Sequence, residues 1–393
     1  MNVSDRINKT LQGVKPSGIR RFFDIAAEME DVISLGVGEP DFVTPWKMRE
    51  AAIWSLEKGE THYTSNSGLL ELRKSISAYM QTRFNLQYQP IGEICITVGA
   101  SEGIDLALRT LLEQGEEVLV PDPSYVSYSS CVQMAGGVPV SLPTFAEEDF
   151  RITPEVLRAH ITPKTKVLIL PYPNNPSGGI MTRSDLEGIA RVLADTEIMV
   201  ISDEVYAELT YSSERHVSLA ELPRMWERTV VLSGFSKAFA MTGWRVGYAC
   251  GHSSIIAAMT KIHQFTMLCA PIMGQIAAME GLRSEMDNGF PEVRQMVRSY
   301  NRRRRIMVQA LREMGLDCFE PQGAFYAFPS IRSTGMASDE FAERLLAEER
   351  VVVVPGNAFG VSGEGHVRCC YAASVENIRM AMERMACFVA KHT

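Results

Sequence analysis

Residues 94–121 read ICITVGASEGIDLALRTLLEQGEEVLVP. Two short apolar runs, 94–98 and 117–121, enclose a helical stretch at 101–113, where Leu106, Leu108, Leu111 and Leu112 group apolar side chains. The first run has no polar alternation, as expected of a strand covered on both faces. A strand, a helix and a strand in close succession make a βαβ unit. The same alternation continues down the chain. Runs at 138–142, 166–170, 198–202, 229–233 and 246–250 read as strands. Helices are expected at 124–135, at 153–160 with Pro154 in the first turn, and at 183–194. This predicts an α/β fold with a mostly parallel sheet covered by helices.

Beyond about Pro291 the pattern changes. One long helix is expected over 292–314, closed by Gly315. Short runs at 324–328, 351–355 and 367–371 follow, with helices at 338–348 and 375–390. An α+β region of this size suits a second, smaller domain. The four arginines at 302–305 read as a solvated face of the long helix rather than an anion site.

Composition narrows the classes. The chain has 393 residues, 46% hydrophobic and 22% charged, which is ordinary for a globular protein and excludes a disordered one. A net charge of −8 argues against a dedicated nucleic-acid binder, which needs basic surface. No stretch approaches the ~20 apolar residues of a membrane span. The N-terminus carries Asp5, Arg6 and Lys9 without an apolar core behind them, so no signal peptide is expected and a cytoplasmic location is the default. The eight cysteines form no C-x-x-C pair. They read as buried thiols in a reducing compartment, neither a disulfide framework nor a metal site.

Several motifs follow strands. Gly99-Ala100-Ser101-Glu102-Gly103 opens a helix and has three readings. It is a plain tight turn, a phosphate cradle at a helix N-terminus, or a nucleophile elbow with Ser101 as nucleophile and Asp203 and His366 as partners. Lys237, just after the strand at 229–233, is either a surface lysine or an amine whose pKa burial lowers for imine chemistry. Arg245 nearby is either a structural ion pair or an anion ligand. Asp203 and Tyr206 follow the strand at 198–202, at the edge where parallel sheets gather ligands. Asp203 is a helix cap or the partner of a cationic ring nitrogen. Asn174-Asn175-Pro176-Ser177-Gly178 reads as a turn, and Arg368 as an edge charge or a bidentate carboxylate ligand.

Taken in order, the motifs are more specific than any one of them. The series runs from Gly36-x-Gly38-Glu39-Pro40-Asp41-Phe42 through Tyr63, Gly99-Ala100-Ser101, Asp122-Pro123-x-Tyr125 and Asn174-Asn175-Pro176-Ser177-Gly178. It continues through Ser202-Asp203-Glu204-x-Tyr206, Ser236-Lys237, Met241-Thr242-Gly243-Trp244-Arg245, Pro321-x-Gly323-Ala324-Phe325-Tyr326 and Pro355-Gly356 to Arg368. The chain resembles the class I, fold-type I aminotransferases that use pyridoxal 5′-phosphate, in the aspartate and N-acetyl-diaminopimelate aminotransferase branch.

The resemblance implies a large domain with a seven-stranded, mostly parallel sheet over 48–290. A smaller α+β domain would combine 291–393 with 1–47 and an N-terminal arm. It implies that Lys237 binds the cofactor covalently and moves the proton, Asp203 pairs with the ring nitrogen, and Tyr206 and Asn175 bond the phenolate oxygen. Tyr125 would stack on the ring. Gly99, Ala100, Ser101, Ser236 and Arg245 would hold the phosphate, joined by Tyr63 from a second copy in a homodimer with shared active sites. Arg368, Asn175 and the backbone at Gly36 would grip the substrate carboxylate. The segment with Ile19 and Phe22 would close over substrate. The implied reaction is ping-pong exchange between an aspartate-type amino acid and 2-oxoglutarate. A β-lyase acting on sulfur amino acids is the alternative on the same scaffold. Asn-Pro-Ser-Gly and the Cys369-Cys370 pair depart mildly from the family's usual residues.

Overall fold

The computed structural model describes residues 3–14, 29–212 and 214–393; Ile19 and Phe22, the expected closing segment, lie outside the described residues. The expected strands form where the apolar runs stand. They are β2 (Ile94–Thr97), β3 (Glu117–Asp122), β4 (Val138–Pro143), β5 (Thr165–Leu170), β6 (Met199–Asp203), β7 (Thr229–Gly234) and β8 (Gly247–Cys250), after a short β1 (Ile33–Ser34). The seven-stranded sheet has the order β2-β8-β7-β6-β5-β3-β4. Only β8 runs against its neighbours, antiparallel to both β7 and β2. The remaining strands therefore end on one edge. β2, β8 and the last residues of β5 and β6 are wholly buried, which accounts for their unbroken apolar character.

The helices between the strands carry local start signals. Arg183–Leu193 opens on a capping box, in which the Thr182 side chain accepts from the Asp185 N–H and the Asp185 carboxylate accepts from the Thr182 N–H. Pro154–His160 has Thr153 as its cap and Pro154 in its first turn. Beside the short helix Lys9–Gly13, four helices of the described residues were not expected: Trp46–Glu57, Leu70–Phe84, Ser253–Thr266 and Ile272–Asn288. The first shows why. Its large side chains Trp46, Ile53, Trp54 and Leu56 are exposed, while Met48, Ala52 and Ser55 face the core, so no apolar stripe marks it. It packs so closely on Ile272–Asn288 that a Cβ at Gly281 would collide with Met48.

The C-terminal region forms the expected α+β unit. β9 (Tyr326–Ala327), β11 (Val354–Pro355) and β12 (Val367–Cys370) make an antiparallel sheet in the order β11-β12-β9. β10 (Val351–Val352) pairs in parallel with β1. The long helix Pro291–Glu313 and the last helix Val375–His392 cover this unit, and one core joins Ile33 and Leu35 to residues from Met296 through Val389.

The reading of 302–305 as a wholly solvated face is corrected. Arg302 and Arg305 are exposed, but Arg304 is buried. Its Nη1 donates to Glu320 Oε1 (3.0 Å) and to the Pro321 carbonyl (2.8 Å), and Nη2 donates to Asn301 Oδ1 (2.9 Å). Arg303 pairs with Asp41 (2.7 Å) and lies over Phe42 and Tyr300. A charge run on a helix faces water only until another segment packs over one turn of it, and here 41–42 and 320–321 do so. Arg304→Ala is expected to lower the unfolding free energy by about 3 kcal/mol, because Glu320 and the carbonyls lose a partly buried cation. Arg305→Ala should cost under about 0.5 kcal/mol. Urea denaturation of the two variants at one pH distinguishes them.

Candidate active site

A cavity of about 530 Å³ opens at the edge where β2, β3, β5, β6 and β7 end. Each strand delivers residues to it: Ala100 and Ser101 after β2, Tyr125 after β3, Asn175 after β5, Asp203 at the end of β6, and Ser236 and Lys237 after β7. This is where a parallel sheet with helical crossovers collects its ligands.

The first turn of helix Gly99–Leu111 is built for an anion. The opening N–H groups of a helix have no intrahelical acceptor, and its dipole favours negative charge. Gly99 has φ of +75°, and a Cβ there would stand 2.5 Å from Arg245 Nη2, so the guanidinium lies against bare backbone. A Cβ on Gly247 would meet Ala100 N at 2.6 Å. The loop is held from behind: the Thr97 hydroxyl donates to the Gly99 carbonyl (2.9 Å), and Glu102 Oε2 accepts the Val98 N–H (2.5 Å). Glu102 Oε1 in turn meets Nδ1 of the buried His263 at 2.6 Å. Of the three readings of this loop, the nucleophile elbow fails. His366 lies away from the cavity, stacked on Phe328 with ring centroids 5.0 Å apart.

At the end of β6 stands Asp203, 6% exposed. Its Oδ2 accepts from the Tyr128 hydroxyl (2.7 Å) and its Oδ1 from the Val205 N–H (3.2 Å). Burial pushes this carboxyl above its ordinary pKa despite both bonds. Tyr128 was missed in the sequence. It lies one helical turn beyond Tyr125, the two rings edge to face at 5.6 Å, and that spacing was the available signal. The Lys237 ammonium donates to the Gly38 carbonyl (2.6 Å) and lies over the rings of Tyr206 and Phe325. Burial lowers its pKa to about 8. Ser236 and Arg245 line the same cavity.

Arg368 is neither an edge charge nor solvated: it is 3% exposed. Its Nη2 donates to the Gly36 carbonyl (2.5 Å) and Nη1 to Asn175 Oδ1 (2.9 Å). Its Nε is buried without a partner among the described residues. The guanidinium carbon lies 4.4 Å from the centre of the Tyr326 ring and 4.9 Å from that of Phe359. Tyr326 also shares a 2.8 Å hydrogen bond with the Tyr206 hydroxyl, and burial raises both phenols above their usual range. Tyr63 stands apart from this group. It is 82% exposed in the single chain and does not line the cavity.

Comparison with known proteins agrees along the chain. Residues 30–385 match the family described as aminotransferase class I and II. An aspartate aminotransferase of Pyrococcus abyssi is 46% identical over 98% of this chain and 97% of its own. An aromatic-amino-acid aminotransferase of Thermococcus litoralis is 44% identical over the same shares. The Thermus thermophilus aspartate aminotransferase, solved with maleate, superposes with a TM-score of 0.91 at 37% identity, over 97% of this chain and 98% of that one. The fold is thus the fold-type I architecture that the motifs imply.

The depressed pKa of Lys237 has a sign that can be measured. Without ligand, the charged amine is costly in the folded state below about pH 8, while the unfolded lysine keeps its proton up to 10.5. Stability from this group is therefore present above 10.5 and lost as pH falls through 8. Lys237→Met is expected to raise Tm of the cofactor-free protein near about pH 7, with the gain fading between pH 8 and 10.5. A gain independent of pH would show that burial does not govern this amine.

Proposed function

The chain belongs to the class I and II aminotransferases, and on that premise we propose that it exchanges the amino group of an aspartate-type donor with 2-oxoglutarate. The family's reaction is transamination between amino acids and 2-oxo acids with pyridoxal 5′-phosphate, and the relatives' names favour it over β-elimination. When bound, the cofactor supplies a carbonyl carbon for amines and a protonated ring that takes up an electron pair.

The cavity fits that group on its own chemistry. It offers an anion cradle at Gly99, Ala100 and Ser101 with Arg245 beside it, a buried carboxylate without a cation at Asp203, and an amine depressed to about pH 8 at Lys237. In our reading the cradle, Ser236 and Arg245 bind the phosphate. Asp203, oriented by the Tyr128 hydroxyl, holds the proton of the ring nitrogen. Tyr125 stacks on the ring, and Tyr206 and Asn175 donate to its phenolate oxygen. Lys237 would bind the cofactor through Nζ; once the substrate amine takes its place there, the freed Nζ would carry the proton taken from the substrate α-carbon. Arg368, with Asn175 and Gly36, fixes the substrate carboxylate and so orients the Cα–H bond toward Lys237. The observation that carries the reading is the buried, half-satisfied guanidinium of Arg368 in the same cavity as Lys237 and Asp203.

A dicarboxylate donor is supported by the names of the relatives and by maleate, a dicarboxylate, in the Thermus enzyme. A homodimer is supported by the exposed Trp46, Ile53, Trp54 and Tyr63, through which Tyr63 would complete the partner's phosphate site. We read 48–290 as the cofactor domain and 1–47 with 291–393 as the small domain, which the core shared by Ile33, Leu35 and Met296 through Val389 supports. The eight free cysteines support a reducing compartment, hence the cytoplasm. Among the described residues no helix is long and apolar enough to cross a membrane.

The test is a half-reaction. Single amino acids are added to the holoenzyme without acceptor while the visible band of the bound cofactor is followed. Aspartate and glutamate are expected to abolish the band, and 2-oxoglutarate to restore it. Persistence of the band with both removes the donor assignment, and release of pyruvate and ammonia from a sulfur amino acid is the lyase outcome. Asp203→Asn should lower kcat/KM by about 100-fold or more, because it removes a buried charge aimed at the reacting ring.

A further inference from the structure

β3 ends on Asp122, whose carboxylate reaches from the main sheet to the loop between β11 and β12. Oδ1 accepts the N–H of Ser362 (3.1 Å). Oδ2 accepts the N–H of Val361 (3.1 Å) and the hydroxyl of Ser141 (2.9 Å). Two residues on, the Ser124 N–H donates to the Phe359 carbonyl (3.0 Å). The segment 122–124 thus holds 359–362 at three points. Gly360 makes the approach possible: its φ is +133°, and a Cβ there would collide with Asp122 Oδ1. The carboxylate is 8% exposed, and its partners are backbone N–H groups and a hydroxyl rather than a cation. Charged acceptors of this kind make strong bonds to backbone donors.

The held loop has one side chain in contact with the site. The Phe359 ring lies 4.9 Å from the Arg368 guanidinium carbon, is 4% exposed, and also meets Phe328 edge to face. The hydrogen bonds to Gly36 and Asn175 fix the tips of the Arg368 fork. They leave its plane free to tilt, and the rings of Tyr326 and Phe359 restrain that tilt.

We propose that Asp122 is a positioning residue for carboxylate recognition. By anchoring 359–362 it sets Phe359 against Arg368 and so fixes the plane in which the guanidinium meets its ligand. The inference rests on the assignment of Arg368 to the substrate carboxylate. It also explains why a carboxylate that does not line the cavity stands at the end of β3.

The experiment uses holoenzyme and measures Kd for maleate and KM for the amino donor. The variants are Asp122→Asn, Phe359→Leu, the double substitution, and Arg368→Lys. Asn keeps the size of Asp122 but replaces one accepting oxygen with a donor. Asp122→Asn is expected to raise Kd and KM by about tenfold while kcat stays within about twofold. Phe359→Leu should do the same, and the double variant should be no worse than the weaker single, because both remove one contact. If Arg368→Lys weakens maleate but Asp122→Asn only lowers Tm, the anchor is structural and the proposal is overturned. If Arg368→Lys leaves maleate binding intact, the assignment of Arg368 itself falls. Should Asp122→Asn fail to fold, Phe359→Leu decides alone: unchanged affinity overturns the proposal.

Discussion

The Arg368 guanidinium donates to the carbonyl of Gly36 and the amide of Asn175, and these three residues come from three distant parts of the chain. Gly36 follows β1, Asn175 follows β5 in the main sheet, and Arg368 lies on β12 in the small sheet. A buried cation is costly unless it is hydrogen-bonded, so the two bonds that this one makes constrain the relative positions of all three elements. The pairing of β1 with β10 and the bond from the Cys370 N–H to the Leu35 carbonyl (2.7 Å) reinforce the same joint. The cavity lies beside it, between a wall from the main sheet and a wall from the small one.

Inside the cavity, burial works on both signs of charge. The Asp203 carboxyl is pushed up and the Lys237 amine down, and the two form no ion pair among the described residues. Each is held by neutral partners instead: Tyr128 and the Val205 N–H for the carboxylate, the Gly38 carbonyl for the amine. Direct pairing would have left both groups content and the cavity inert. Separated, each retains an unmet demand for a partner that a ligand can bring, a cationic ring nitrogen for one and an electrophilic carbon for the other.

Much of this was legible in the sequence, for physical reasons that differ by element. The buried strands showed themselves because burial on both faces leaves an unbroken apolar run, as in 94–97 and 167–170. The residues that line the cavity showed themselves because their types are chemically restricted: an amine after β7, a carboxylate at the end of β6 and a guanidinium on β12. Helix Trp46–Glu57 was not legible, because its large apolar side chains face outward and its packing uses Met48 and Ala52. Arg304 misled because a tertiary partner, the segment at 320–321, decides whether a helix face is wet. Tyr128 carries only its spacing from Tyr125 as a signal, and that spacing alone does not tell a buried hydroxyl with a carboxylate partner from an ordinary core ring.

The pairing of β2 with β8 also bears on how the protein is made. β2 lies at the edge of the sheet, and its sole partner there is translated about 150 residues later. During synthesis β2 must wait, its hydrogen-bonding edge unpaired, while the centre of the sheet assembles from neighbours closer in sequence. Arg368 waits longer still, since it follows Asp203 by about 165 residues. A nascent polypeptide can therefore possess the loop at Gly99 and the carboxylate of Asp203 well before β12 brings Arg368 to them.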